Sequence, residues 1–136
     1  MKLSISGEVE RYLCDYGGNY FLKEDVTNGK PYWIHQSGGK AIWWDSPNPP
    51  SWIVGDFEDL GSSTASIIGP FNNDSPPNQI NNGWQYANFA SKEWVDTNGV
   101  HFKDWTFKQG KFLHFLCKNS FHRVHPESEL ISQFMS

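Results

Sequence analysis

Trp43 and Trp44 stand side by side in the apolar run Lys40 to Trp44, and of all residues in this 136-residue chain they suggest binding chemistry most directly. Neighbouring side chains on a strand point to opposite faces. One indole can therefore enter a core, while the other must meet solvent, a loop or a second layer. An exposed indole stacks on a sugar ring or a proline ring. The stretch from Asp45 to Pro50 follows at once and supplies a stiff, Pro-rich wall. Asp45 and Asn48 in that wall carry groups that orient a ligand through hydrogen bonds. Trp43, Trp44, Asp45 and Asn48 are therefore the candidate ligand-binding residues. The plainer alternative is that the polar loop 70–82 or a C-terminal helix covers the outer indole, because large aromatics mostly serve as core.

Other groupings carry less. Asp56, Glu58 and Asp59 gather after an apolar run. Paired carboxylates serve glycoside hydrolysis or bind calcium, but nothing fixes their spacing, and they read as solvated loop residues. His114 and Cys117 are odd-spaced, so on a strand they face opposite ways. His122 and His125 share that fault unless a turn brings them together. A structural zinc site needs four ligands, and no compact set is present. Gly17-Gly18 and Gly38-Gly39 lack the following helix that a phosphate cradle needs. No Ser sits in a nucleophile elbow. The reading thus assigns no catalytic residue, no metal ligand and no cofactor, and leans away from an enzyme.

Composition sets the frame. The chain has seven Trp, ten Phe and five Tyr, and its hydrophobic fraction is 38%. Each large aromatic buries about 150–250 Å², so a few of them replace the missing aliphatics. The length fits a single β domain spanning 1–136. Net charge is −4, which argues against a dedicated nucleic-acid binder. The charge is uneven, however. Residues 100–125 carry Lys103, Lys108, Lys111, Lys118 and Arg123 against Asp104 alone, interleaved with Phe102, Trp105 and Phe107. Such a stretch grips single strands or anionic glycans, or simply balances the acidic remainder of the domain. The N-terminus shows no signal-peptide pattern, and no apolar run approaches a membrane span. The chain as given is expected to be soluble and cytoplasmic, or else a module of a longer protein. Two cysteines, Cys14 and Cys117, permit one disulfide at most. They read more simply as two buried free thiols.

Glycines and prolines cluster between short apolar runs, which favours strands and turns over long helices. Residues 8–15 show a broken alternation through Val9, Tyr12 and Cys14. Tyr20 to Leu22 reads as a short strand. Asn28-Gly29 is a type I′ hairpin signal, followed by strands at 31–35 and 40–44. Further runs occupy 51–55, 64–68, 84–86 and 92–95. Asn98-Gly99 repeats the hairpin signal, and 100–107 and 111–117 flank a Gln109-Gly110 turn. Residues 127–135 read as a short C-terminal helix. The expected fold is all-β, an antiparallel meander of eight to eleven short strands closing into a barrel or sandwich. Tyr32, Ile34, Ile42, Trp52, Val54, Trp84, Leu113 and Phe115 are its expected core.

Certain of these residues stand in a characteristic order. Asn28-Gly29-Lys30-Pro31-Tyr32 is followed by Ala41-Ile42-Trp43-Trp44, Trp52-Ile53-Val54-Gly55, Leu60-Gly61, Gly69-Pro70, Pro76-Pro77-Asn78 and Gly83-Trp84-Gln85-Tyr86. Residues 6–87 thereby resemble a small, functionally uncharacterised β-rich module repeated in large eukaryotic proteins. Its pattern is Asn-Gly-Lys/Arg-Pro-x-Tyr … Trp-x-Ile-Gly … Gly-Trp. Here Tyr32 follows Pro31 directly, and Val54 takes the Ile place. The resemblance implies a β fold and no catalytic residues. The expected role is a non-catalytic binding module for a glycan or a protein segment, acting through exposed aromatics. A structural or self-association domain is the alternative, as is a small β-barrel ligand carrier or enzyme.

Overall fold

The computed structural model describes residues 1–47 and 49–104. Among these residues nine strands form one curled antiparallel half-barrel. They are β1 (Lys2–Ile5), β2 (Gly18–Thr27), β3 (Lys30–His35), β4 (Lys40–Asp45), β5 (Ser51–Asp56), β6 (Ile67–Ile68), β7 (Gln85–Asn88), β8 (Glu93–Asp96) and β9 (Val100–Lys103). The sheet runs β8-β7-β6-β5-β4-β3-β2-β1-β9. It is a meander as expected, except that β9 crosses to pair with β1. Among the described residues no helix is long and apolar enough to cross a membrane.

The turn residues explain the best-read hairpin. Asn28 and Gly29 have φ of 52° and 84°, the left-handed pair that matches strand twist. Asn98-Gly99 differs. Gly99 has no positive φ, and the strands on either side of it lie at opposite edges of the sheet. Its amino-acid type has another cause: a Cβ on Gly99 would collide with the Ser6 carbonyl, and Gly99 O accepts the Ser6 amide at 2.8 Å. The two Asn-Gly pairs look alike in sequence and do different jobs.

Residues 7–16 are helical rather than extended. A 3-10 turn (Gly7–Val9), the short helix α1 (Glu10–Leu13) and a second 3-10 turn (Cys14–Tyr16) follow one another. Val9, Leu13 and Tyr16 are spaced four and three apart, the period of a helix face, and all three are essentially fully buried. Cys14 is disulfide-bonded, which corrects the free-thiol expectation. Cys117, the other cysteine, lies outside the described residues, as do the 111–117 strand, Leu113, Phe115 and the 127–135 helix.

The sheet is covered on both faces at its centre. Ile42, Trp44, Trp52, Val54, Ile67, Trp84 and Tyr86 belong to the larger apolar cluster inside the curl, with α1 and Ile80 packed on it. Ala41, Trp43, Ile53 and Ala65 form a second cluster on the other face. Ile42, Trp52, Val54 and Trp84 are buried as expected. Tyr32 and Ile34 are only half-buried, because they sit at the rim of the second cluster.

Candidate functional site

The structure buries both indoles of the Trp43–Trp44 pair. Trp43 is 0% exposed and Trp44 is 8% exposed. The expectation of one open indole is therefore corrected. Residues on the β5–β6 connection cover the outer face: Trp43 Nε1 donates to Ser62 O at 3.0 Å, and the ring packs against Gly55. On the inner face Trp44 meets Trp52 edge to face at 5.3 Å. Lys30 Nζ lies 5.2 Å from the Trp44 ring centre and 3.9 Å from Asp74 of the 70–82 loop. Asp45 spends one oxygen on the Ser63 hydroxyl at 3.1 Å. Its carboxyl is pushed above the ordinary value by burial, against the pull of that hydrogen bond. Asn48 lies outside the described residues. Trp43, Trp44 and Asp45 do not form an open platform.

Of the other acidic candidates, Asp56 is the one with side-chain partners among the described residues. Asp56 is not a free loop carboxylate. It meets Lys40 Nζ at 2.8 Å and the Tyr16 hydroxyl at 3.3 Å. Tyr16 in turn shares a 2.7 Å hydrogen bond with Ser66. This is a polar tie between the segment before β2 and the strands, which is a structural use. Asp59 is pushed up by burial and then by Asp56 and Glu58. No group of three His, Cys, Asp or Glu able to hold a metal occurs among the described residues.

An open feature among the described residues lies elsewhere. A groove of about 580 Å³ runs along β2 where β1 ends. Tyr20, Phe21, Leu22 and Trp33 line its strand side, and Pro76, Asn78 and Gln79 line the side formed by the 70–82 loop. That loop is held in place from within the core. Trp52 Nε1 donates to Ser75 O at 2.7 Å and Trp84 Nε1 to Ile80 O at 3.0 Å. Proline at the start of the 3-10 turn Pro77–Gln79 stiffens it further. Phe21 and Leu22 are 46% and 60% exposed, while Trp33 is half-buried and tilts against Trp52 at 5.7 Å.

Polar groups complete the lining. Asn19 is 7% exposed; its Nδ2 donates to Gln36 Oε1 at 3.2 Å, and its Oδ1 is buried with no partner among the described residues. An unsatisfied buried acceptor costs about 1–3 kcal/mol. Asp104 stands at the rim, and among the described residues no Lys, Arg or His side chain lines the groove. The Met1 ammonium is occupied by Tyr20 O at 3.1 Å. Burial holds it below its ordinary value, with Asp104 pulling the other way.

His35 sits just behind this lining, 8% exposed. Its Nδ1 accepts the Ser37 amide at 3.0 Å, so the proton is on Nε2, which donates to Gly17 O at 2.9 Å. The ring packs edge-on against Tyr20 at 4.9 Å. Burial holds His35 below its ordinary value and Lys40 adds to this, while the Gly17 carbonyl and Asp15 oppose it.

Sequence reasoning missed this groove. It is assembled from five separate stretches of chain, around residues 1, 19–22, 33, 76–79 and 104. The one available signal was Tyr20-Phe21-Leu22 running straight into Lys23-Glu24-Asp25, an apolar run with no polar alternate to face solvent. Compared with known proteins, the chain matches no family model, no curated protein and no solved structure.

Proposed function

We propose that this protein is a non-catalytic binding module, and that it holds a glycan or a protein segment in the groove along β2 rather than on the Trp43–Trp44 pair. The supporting observation is the meeting, in one groove, of exposed Phe21 and Leu22, half-buried Trp33 and the partnerless Asn19 oxygen. Apolar walls with a few fixed polar groups are the usual make-up of a ligand site. Covering a Leu or Phe completely is worth about 1.5–3 kcal/mol, so two half-open side chains supply a modest driving force. The wall opposite them is preordered by Pro76, Pro77 and two indole hydrogen bonds, which lowers the ordering cost of binding.

The test is a glycan array run beside a displayed peptide library, with Phe21→Ser and Leu22→Ser as the reporting variants. Both residues are exposed, so the variants are expected to melt like the parent. The proposal expects each variant to weaken any binder by about tenfold or more. A binder unaffected by both variants, or no binder on either array, would overturn it. A parent chain that sediments as a dimer, and as a monomer after Leu22→Ser, would make the groove a self-association surface instead.

A further inference from the structure

We infer that His35 is an acid-operated latch: protonating its ring releases the turn 36–39 between β3 and β4 while the sheet around it stays folded. The turn hangs on the unprotonated nitrogen. Nδ1 accepts the Ser37 amide at 3.0 Å and lies 2.8 Å from the Ser37 hydroxyl. That hydroxyl oxygen also accepts the Gly39 amide at 3.2 Å, and His35 O accepts the Gly38 amide at 2.7 Å. The other nitrogen is fixed elsewhere. Nε2 donates to Gly17 O at 2.9 Å, and it keeps that proton in either charge state. The ring has little room to turn away. Tyr20 packs edge-on against it at 4.9 Å, and a Cβ on Gly18 would stand only 2.8 Å from Nε2. Glycine, here at φ 130°, lets the backbone approach the ring this closely.

A proton can be added only at Nδ1, since Nε2 already carries one. The added N–H then faces the Ser37 N–H, donor against donor, across the 3.0 Å that now holds a hydrogen bond. The Ser37 hydroxyl can turn to accept the new proton, but the Ser37 amide still loses its acceptor. The ring is held and the turn is not: residues 36–39 are exposed, so a freed amide turns to water. Charges around the ring set the direction of the switch. Lys40 of β4 repels the imidazolium, and its ammonium is held 2.8 Å from Asp56 of β5. Asp15, just before β2, attracts the imidazolium, as does the Gly17 carbonyl. Tyr20 stays neutral, because burial, then Asp15 and Asp56, push its hydroxyl well above the ordinary value. Burial outweighs the attraction, so His35 charges only below its ordinary 6.5, and the latch is closed at neutral pH. Opening also reaches β2. The Gln36 amide donates to Asn19 O at 2.8 Å, and Asn19 Nδ2 donates to Gln36 Oε1 at 3.2 Å. Asn19 is where β2 passes from its pairing with β1 to its pairing with β3. Acid therefore frees the turn's side of that joint, whatever the groove holds.

The experiment follows the full parent chain by NMR from about pH 8 to about pH 5. The ring proton shifts report the charge on His35, and amide hydrogen exchange reports the turn. Exchange is expressed as protection, which corrects for the pH dependence of exchange in an open chain. As His35 charges, protection of the Ser37 amide should fall by about tenfold or more, with Gln36 and Gly38 following. The Ala87 amide, held by Ser66 O at 2.9 Å in a buried part of the sheet, should keep its protection. In His35→Gln, which has no titrating ring, Ser37 protection should be equal at both ends of the scan. The parent measurement decides the matter even if that variant fails to fold. Ser37 protection that is unchanged across the titration, or absent at neutral pH, would overturn the latch. So would a His35 midpoint at or above about 6.5. Loss of Ala87 protection in step with Ser37, or a ring that stays neutral until the chain unfolds, would mean acid unfolding of the whole domain and would overturn it as well.

Discussion

Strand β4 and strand β2 carry similar runs of adjacent aromatic and aliphatic residues, and the fold treats them in opposite ways. In β4, Ala41, Ile42, Trp43 and Trp44 are all buried, on alternating faces. In β2, Phe21, Leu22 and Val26 are exposed at 46%, 60% and 57%. Alternation cannot explain the contrast, because both runs place apolar groups on both faces. Position in the sheet does. β4 lies between β3 and β5, and chain from the β5–β6 connection closes its outer face through Trp43. β2 pairs with β3 at Tyr20, Phe21, Leu22, Val26 and Thr27 but meets β1 only at its start. Past Tyr20 it has one neighbour and no cover among the described residues. Exposed apolar groups beside an open edge are the exception in a folded domain, and this is why β2 rather than β4 is the place to look for a partner.

Substitutions in β4, β5 and β2 and a pH scan sharpen that contrast. The largest effect is expected at Trp43. Trp43→Ala should cost about 3–5 kcal/mol, the range for a buried large aromatic, read as a lower midpoint in urea. A loss below about 1 kcal/mol would mean that the outer layer is loose and that β4 resembles β2 after all. Next comes Gly55→Ala. A Cβ there would stand 2.9 Å from Thr64 O and 3.1 Å from the Trp43 ring. Overpacking of this kind costs about 1–3 kcal/mol. Equal stability of Gly55→Ala and the parent would show that the layer over β4 and β5 yields freely.

The pH prediction probes the point where β2 passes from buried to exposed. His35 faces Tyr20 across the pairing, and its folded pKa lies below the ordinary 6.5. The unfolded chain therefore binds a proton at His35 before the folded chain does. The stability gained from neutral His35 is fully present above about pH 6.5 and is lost as pH falls through the folded value. Thermal melts of the parent should drop across this window, and those of His35→Gln should drop less. Parallel curves would show that protonated His35 is accommodated, with the Ser37 hydroxyl, 2.8 Å from Nδ1, accepting the new proton.

The sequence made some of this arrangement legible. Asn28-Gly29 announced its turn because both residues tolerate a left-handed backbone, and the runs at 31–35, 40–44 and 51–55 were bounded by glycine and proline. Residues 7–16 were not legible as helical turns, because Val9, Leu13 and Tyr16 span too few residues to separate a period of 3.6 from a broken alternation. The cover over Trp43 was hidden for a different reason. It comes from Ser62 and its neighbours, polar residues that give no local sign of lying against a core. The groove was hidden for the same reason as the cover. Pairing across 19 residues joins Met1 to Tyr20, and nothing in either segment names the other. Local chemistry locates turns and strands, whereas the faces that end up covered depend on contacts distant in sequence.

The smallest expected effect is the most telling for function. Leu22→Thr and Val26→Thr should each change folding stability by no more than about 0.5 kcal/mol, as surface substitutions usually do. Thr is β-branched and suits a strand, so the backbone has no reason to object, and little apolar contact is lost where 60% and 57% of each residue is already open. The same type of change at Val54, which is 0% exposed, buries a hydroxyl without a partner and should cost about 1–3 kcal/mol. Urea titrations of the three variants measure the difference directly. A near-zero cost at Leu22 and Val26 beside a clear loss at Val54 would mean that folding does not require apolar groups on β2. Their presence would then be accounted for by something that docks there. A cost at Leu22 as large as at Val54 would instead place Leu22 in a packed interior. The groove would then be part of the core, and the binding role would not stand.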